Sequence, residues 1–244
     1  MKILVTNDDG IEAEGIRALA EELGAEHEVW IIAPDRERSG ASHSVNLHEP
    51  ARLVRKGERS FSCSGSPADC VIFSRLGVLE FIPDLVVAGI NRGPNLGTDV
   101  VYSGTCGAAR QAALYGIPAI AVSCASRLGP FIYDAAAAFV RRHLEQLASY
   151  CSDSVFMNVN APSVGDREVE GRWAGIARRY YHDAVNSSGI SDGEFLCSLL
   201  PGKVESVDSP SSDESVVSAG YVAVSPVLVQ PQVSGAARPG EIFR

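Results

Sequence analysis

"KILVTNDDG", residues 2–10, runs a short apolar stretch directly into two adjacent carboxylates and a glycine. Ile3, Leu4 and Val5 favour a buried strand, which puts Asp8 and Asp9 at its carboxyl end. Neighbouring carboxylates repel each other, and burying either of them without a partner is costly. The pair therefore needs a helix N-terminus or a bound cation, and this stretch alone leaves both alternatives open.

Short apolar runs of the same kind recur further along the chain and alternate with helical periodicity. Predicted strands cover residues 2–6, 28–33, 84–89, 118–123 and 155–159. Predicted helices end at Gly24, begin after the N-cap residues Ser66 and Ser103, and cover residues 133–150. Strands that alternate with helices at this spacing predict an α/β fold, a Rossmann-like doubly wound sheet that is mostly parallel.

The rest of the chain is less regular. A hairpin is expected around Lys56-Gly57-Glu58, residues 220–226 alternate like a last strand, and the Ser-rich stretch 206–215 is predicted to be a loop or disordered. We predict a catalytic core over residues 1–165 and a C-terminal extension over residues 166–244 that completes the fold. No motif in the extension carries chemistry by itself.

Composition and charge exclude several classes of function. With 244 residues, 45% of them hydrophobic, the chain can bury a substantial core. Its net charge of −9 argues against binding a nucleic-acid polymer, because clustered Lys and Arg hold phosphate backbones. The six scattered cysteines are expected to be reduced thiols in or near the core. No stretch resembles a signal peptide or a membrane span, so we expect no membrane association and a cytoplasmic location.

Three loops that follow predicted strands carry small, oxygen-bearing side chains. They are NDDG (7–10), PDRERSGASHS (34–44) and INRGPNLG (90–97). Ligands of doubly wound sheets collect at the carboxyl ends of the strands, near the point where the strand order reverses. Carboxylate, hydroxyl and amide oxygens suit a hard cation such as Mg²⁺ or Mn²⁺.

The third of these loops, residues 90–97, is the glycine-rich loop, and it leads to Ser103-Gly104-Thr105, where a helix is predicted to begin. The free N–H groups and the dipole of a helix start accept an anion without a basic residue. A serine that only caps the helix explains Ser103 equally well, but it does not explain the long glycine-rich loop from Asn91 to Gly97. A cation and an anion site in one crevice indicate phosphate-ester chemistry.

Six motifs carry a resemblance to a known family. They are ILVTNDDGI (3–11), APDRERSGASHS (33–44), SPADCV (66–71), GINRGPNLG (89–97), YSGTCGAA (102–109) and GIPAIAVS (116–123). In this order and spacing they closely resemble the SurE family, the stationary-phase survival protein described as a 5′/3′-nucleotidase. The resemblance is dense over residues 1–125, returns at NVNAP (158–162), and is weak over residues 182–219.

The resemblance implies the residues of the site. It implies one divalent metal ion per subunit, Mg²⁺ or Mn²⁺, held by Asp8, Asp9, Ser39 and Asn91. It implies a phosphate pocket drawn from Asn95, Ser103, Gly104 and Thr105. The implied fold has a C-terminal β-hairpin or extension, which exchanges segments between subunits and gives a homo-oligomer, either a dimer or a tetramer.

The expected reaction is hydrolysis of nucleoside 5′- and 3′-monophosphates to nucleoside and phosphate by a metal-activated water, with Asp8 or Asp9 as the catalytic base. His43 is a candidate proton donor to the leaving group, although a lone loop histidine is more often structural. A phosphoacceptor receiver domain is excluded, because the region that would hold its phosphorylated aspartate, EPARLVRKGE (49–58), has none. The alternative of a nucleotide- or metal-binding protein without turnover stays open. The sequence also leaves open which nucleobase is recognised, whether 5′ or 3′ esters are preferred, and whether short polyphosphate is hydrolysed.

Overall fold

The computed structural model describes residues 1–207 and 209–231. Its strands are β1 (Lys2–Thr6), β2 (Glu28–Pro34), β3 (Leu53–Gly57), β4 (Ser60–Cys63), β5 (Leu85–Arg92), β6 (Ala119–Cys124), β7 (Val155–Ala161), β8 (Gly171–Trp173), β9 (Arg178–Ser191), β10 (Glu194–Val207) and β11 (Val222–Leu228). Its α-helices are α1 (Glu14–Gly24), α2 (Pro67–Phe73), α3 (Gly104–Leu114), α4 (Asp134–Ser149) and α5 (Asp213–Ser218). A π-helical turn follows α2 at Ser74–Val78, and a 3-10 turn covers Gly97–Val101.

Nine strands form one sheet in the order β3-β4-β2-β1-β5-β6-β7-β11-β8. The strands from β4 to β7 pair in parallel, whereas β3 and β11 run antiparallel to β4 and β7. The chain leaves β1 toward β2 on one side and returns to β5 on the other. The strand order therefore reverses at β1, and the predicted doubly wound, mostly parallel sheet is confirmed.

Alternate residues of β1 serve the two faces of the sheet. Ile3 and Val5 pack with α1 and α4, and Leu4 packs on the opposite side with α2 and α3. All three side chains are fully buried, and burial of each contributes about 1.5–3 kcal/mol. This three-layer packing holds the carboxyl end of β1, and with it the two aspartates, in a fixed position.

The predicted helix starts and cysteine state are also confirmed. The Oγ of Ser66 accepts the N–H of Asp69 at 3.0 Å, and the Oγ of Ser103 accepts the N–H of Cys106 at 3.1 Å. The six cysteines are all free thiols, but the expected position in or near the core was wrong for Cys197, which is exposed on β10. The expected hairpin around Lys56-Gly57-Glu58 is the antiparallel pair of β3 and β4.

The predicted end of the third parallel strand at residue 89 was wrong, because β5 continues to Arg92. The register shifts between Ala88 and Asn91, after which Asn91 pairs with Ser123 of β6. Gly89 permits this close pairing at φ +144°, where a Cβ would lie 2.4 Å from the carbonyl oxygen of Val122. Asn91 is consequently held by the sheet rather than by a loop.

The prediction of a loop or disordered segment over residues 206–215 was wrong at both of its ends. β10 runs to Val207, and α5 begins at Asp213 with Ser212 as its N-cap. The run of Ser, Asp and Glu that resembled a disordered composition is in fact a helix-start signal. The last strand, β11, covers residues 222–228 rather than 220–226 and pairs with β7.

Strands β9 and β10 form a separate antiparallel hairpin outside the main sheet. Each strand is 14 residues long, and nearly all of their side chains are exposed. The exposed apolar residues include Val185, Phe195, Leu196 and Leu199. No helix in residues 1–207 and 209–231 is long and apolar enough to cross a membrane.

Candidate active site

Asp8 lies at the start of helix α3 and is almost completely buried. Its Oδ2 accepts the backbone N–H groups of Gly104 at 3.1 Å and Thr105 at 3.2 Å, and its Oδ1 accepts the hydroxyl of Thr105 at 2.6 Å. The free N–H groups that the sequence assigned to a phosphate therefore hold a carboxylate of the protein itself. Asp8 caps α3, across 96 residues of chain, and not the helix α1 that directly follows it.

Asp9 faces the other way and has fewer partners. Its Oδ2 accepts the backbone N–H of Arg92 at 2.8 Å, which ties it to the end of β5. Burial raises the pKa of Asp9 to about 6, and the neighbouring charges of Asp8 and Glu37 add to the rise. Burial also raises the pKa of Asp8, against the hydrogen bonds from Thr105 and Gly104. Both carboxylates thus carry a desolvation cost that a cation would relieve.

Asn91 completes the oxygen cluster on the Asp8 side. Its Nδ2 donates to the carbonyl of Gly93 at 2.8 Å, which leaves its Oδ1 on the side of Thr105, 3.4 Å from that hydroxyl. The Thr105 hydroxyl is therefore in contact with both Asp8 and Asn91. The donor set of two carboxylates and one amide oxygen fits a hard cation.

Ser39, the fourth predicted ligand, lies on the exposed loop after β2, where its hydroxyl donates to Glu37 at 2.9 Å. Ser39 and Asp9 line the same open cavity of about 840 Å³. In the described part of the chain, no three His, Cys, Asp or Glu side chains cluster in a way that would hold a metal ion. The candidate site instead combines two carboxylates with a hydroxyl and an amide.

Asn95 is held from behind by a buried polar network. Its side-chain amide donates to Ser123 at 2.8 Å, its backbone N–H donates to Asn160 at 2.8 Å, and its carbonyl accepts from Asn158 and Asn160. These partners come from β6 and β7. Asn158 and Asn160 belong to the motif NVNAP (158–162), where the family resemblance is only faint. In the structure this motif fixes the glycine-rich loop.

His43, the candidate proton donor, packs against α3. Its Nε2 lies 2.8 Å from the Oε1 of the buried Gln111. The loop that carries it is held by the hydroxyl of Ser42, which donates to the carbonyl of Val101 at 2.6 Å. These contacts place His43 along the side of α3.

The loop after β6 also lines the site, although the sequence analysis did not single it out. Arg127, Phe131 and Tyr133 border the cavity that contains Asp9 and Ser39. The guanidinium of Arg92 lies over the Phe131 ring, 4.7 Å from its centre. The rule that assigned ligands to the carboxyl ends of strands, applied to the strand at 118–123, would have pointed to this loop.

The C-terminal extension reaches the loop before α3. Arg179 of β9, whose side chain is fully buried, pairs with Asp99 and also contacts Glu214 at 3.1 Å. Asp213 accepts the backbone N–H of Gly97 at 2.7 Å. Residues beyond 165 therefore position the glycine-rich loop.

Together these features define a doubly wound α/β protein whose polar, oxygen-rich site lies at the point where the strand order reverses. The sequence matches the family described as survival protein SurE over residues 3–183. The chain belongs to the SurE family.

Relatives and a solved structure agree with this assignment. The chain is 41% identical to the 5′-nucleotidase SurE of Gemmatimonas aurantiaca over 236 residues, which cover 93% of this chain and 92% of the relative. It is 41% identical to the 5′-nucleotidase SurE of Geotalea uraniireducens, with the same coverage. The crystal structure of the SurE protein from Aquifex aeolicus superposes with a TM-score of 0.81, at 31% identity and 95% coverage of both chains.

Proposed function

We propose that this protein is a divalent-metal-dependent 5′-nucleotidase, which hydrolyses nucleoside monophosphates to nucleoside and phosphate. It is then a phosphoric monoester hydrolase, as the names of its relatives indicate. The observation that carries the proposal is the pair Asp8 and Asp9 at the switch point of the sheet, with Asp8 buried and the Thr105 hydroxyl in contact with both Asp8 and Asn91. We extend the substrate range to 3′-monophosphates and short polyphosphate on the family resemblance alone.

The metal, Mg²⁺ or Mn²⁺ with one ion per subunit, would be held by Asp8, Asp9, Asn91 and Ser39. When bound, it supplies charge neutralisation for the phosphate and a water of lowered pKa. Both carboxylates are already held by backbone N–H groups, so little reorganisation is needed to receive it. Ser39 would turn from Glu37 toward the ion.

The protein's own groups orient the phosphate and handle its protons. The phosphate pocket that the family resemblance implies draws on Asn95, Ser103, Gly104 and Thr105. Because the N–H groups of Gly104 and Thr105 already hold Asp8, the phosphate would take its hydrogen bond at the helix start from the Ser103 side chain. The Ser103 hydroxyl accepts the N–H of Cys106 and keeps its own proton to donate to a phosphoryl oxygen. Asp9, which has a single hydrogen bond and lines the open cavity, is the better placed of the two carboxylates to accept a proton from water.

The decisive experiment compares the protein with its Asp8→Asn variant. Phosphate release from AMP should need Mn²⁺ or Mg²⁺ and should fall at least 100-fold in the variant. The thermal stabilisation that the metal gives to the original protein, about 2.7 kcal/mol at 100 times its Kd, should be lost. An asparagine keeps an oxygen that can accept the N–H groups of α3, so the fold should survive.

Asp153→Asn is the matched control, because Asp153 is an exposed aspartate in the turn before β7. It should leave both activity and metal response unchanged. If the original protein binds the metal and nucleotides yet releases no phosphate from any nucleoside monophosphate, the alternative of a binding protein without turnover is correct.

We also propose that the protein forms a homo-oligomer, a dimer or a tetramer, through the hairpin of β9 and β10. The support is the exposure of its apolar side chains, among them Phe195 at 66% and Leu199 at 66%, since monomeric proteins rarely expose such a surface. Light scattering should give at least twice the 25.9 kDa mass of the chain. A monomeric mass would refute the assembly.

A further inference from the structure

We propose that the open cavity beside Asp9 holds the nucleoside part of the substrate, with Phe131 as the surface on which the base stacks. This inference rests on the proposed nucleotidase function and adds the residue that recognises the leaving group. The cavity lies at the carboxyl ends of β1, β5 and β6 and measures about 840 Å³, within the range of small-molecule sites.

The two aspartates divide the site into two sides. Asp8 faces the N-terminus of α3, whose first N–H groups it occupies, and is not among the residues that line the cavity. Asp9 lines the cavity directly, together with Ser39. A phosphate bound at the metal site that we propose would therefore have this cavity beside it on the Asp9 side, which leaves room there for its ester group.

Phe131 is built as a platform. Its ring is half-buried and packs at its back against the core cluster that contains Cys124 and Ala135. The guanidinium of Arg92 lies 4.7 Å from the ring centre. The guanidinium therefore covers this ring face, and a nucleobase, which is also flat and polarisable, would take its place there.

The charge of the cavity favours an uncharged occupant. Three guanidinium groups line it, those of Arg17, Arg92 and Arg127. The carboxylates of Asp9 and three glutamates nearly balance them. A chain of phosphates would need a clear excess of positive charge, whereas a nucleoside needs an apolar face and hydrogen-bonding groups around it.

The test compares a substrate that has a base with one that lacks it. In Phe131→Leu, which keeps apolar bulk against the core, the KM for AMP should rise about tenfold, because base–aromatic stacking has that magnitude. The kcat/KM for ribose 5-phosphate, which carries the same ester without a base, should change less than twofold. Adenosine should inhibit ribose 5-phosphate hydrolysis by the original protein and inhibit the variant less. Phe131→Tyr, which keeps an aromatic ring at this position, should have the same KM for AMP as the original protein.

Leu128→Ala is the matched control, since this apolar side chain of the same loop is 97% exposed and does not line the cavity. It should leave both substrates unaffected. Equal changes for AMP and ribose 5-phosphate in Phe131→Leu, or no change for either, would overturn the inference while the nucleotidase function stands. If the original protein releases no phosphate, the proposed function fails, and AMP binding by calorimetry decides the inference. Weaker binding in Phe131→Leu supports it, and equal binding overturns it.

Discussion

The contact between Gly104 and Asp8 permits a sharp prediction, because it joins the predicted phosphate helix to a predicted metal ligand. A Cβ at Gly104 would lie 2.9 Å from both the Cβ and the Oδ2 of Asp8, and 3.2 Å from the Cγ of Pro67. Ordinary contacts begin at 3.4 Å. In Gly104→Ala, Asp8 must therefore move by about 0.5 Å, which is the difference between these two distances.

This shift has a calculable effect on both stability and activity. The hydrogen bonds to Asp8 from Gly104 and Thr105 are already 3.1 and 3.2 Å long, so both would be weakened or lost. Hydrogen bonds to a charged group contribute about 1.5–3 kcal/mol each, and the helix preference for alanine returns up to about 1 kcal/mol. We expect a net destabilisation of about 1–3 kcal/mol. Misplacement of a metal ligand by a fraction of an ångström should lower kcat/KM by about 10- to 100-fold.

The assay is phosphate release from AMP across a Mn²⁺ titration, with thermal unfolding of the same preparations. Gly24→Ala serves as the control, because Gly24 lies at the end of α1 with nothing within 4 Å of its added Cβ. That variant should keep full activity and the same or slightly higher Tm. If Gly104→Ala retains activity within twofold of the original, the helix start does not position Asp8 for catalysis and the reasoning is refuted.

Two further predictions concern the ion pairs. Arg179→Met should lower the free energy of unfolding by about 2–3 kcal/mol, which is less than for a fully buried pair, because Asp99 and Glu214 stay about a quarter exposed. The same variant should raise the KM for AMP. The control Arg178→Met, at the exposed neighbouring position, should change neither stability nor KM. Hydrogen bonds from Arg167 and Arg141 lower the pKa of Glu22, so its stabilisation is complete above the unfolded-state pKa of about 4.3 and is lost as the pH falls through the lower folded pKa. The Tm of Glu22→Gln should accordingly lie about 2 °C below that of the original at pH 7, and the gap should narrow as the pH falls below about 4.3; a gap that stays the same at low pH would contradict this.

The sequence predicts the central sheet well because its signals there are local and agree with one another. The apolar run at 2–6 can bury both of its faces only as a central strand with helices on either side. The caps at Ser66 and Ser103 each bind an N–H group only three residues further along the chain. The rule that ligands collect at the carboxyl ends of strands then brings NDDG and Asn91 to one edge. The direct contacts of Asp8, Thr105 and Asn91 agree with that expectation.

The sequence predicts poorly wherever a partner is distant. No local pattern indicates that Asp8 caps a helix 96 residues away, or that Arg179 holds the turn at Asp99. The hairpin of β9 and β10 lacks the alternation of a half-buried strand, because nearly all of its side chains are exposed. A periodic spacing of apolar residues indicates which face of a helix or strand is buried, so a strand without a buried face shows no such spacing.

The two explanations for the paired aspartates are not equivalent once their partners are known. The helix start of α3 satisfies Asp8 with two N–H groups and a hydroxyl, but a helix N-terminus offers only about half an elementary charge. Asp9 receives a single backbone N–H, from Arg92, and its pKa stays raised at about 6 by burial and by the charge of Asp8. Capping therefore accounts for one carboxylate, whereas for the other the effect of burial still outweighs that of Arg92. A divalent cation between them would stabilise both, which supports the metal site that we propose at this edge of the sheet.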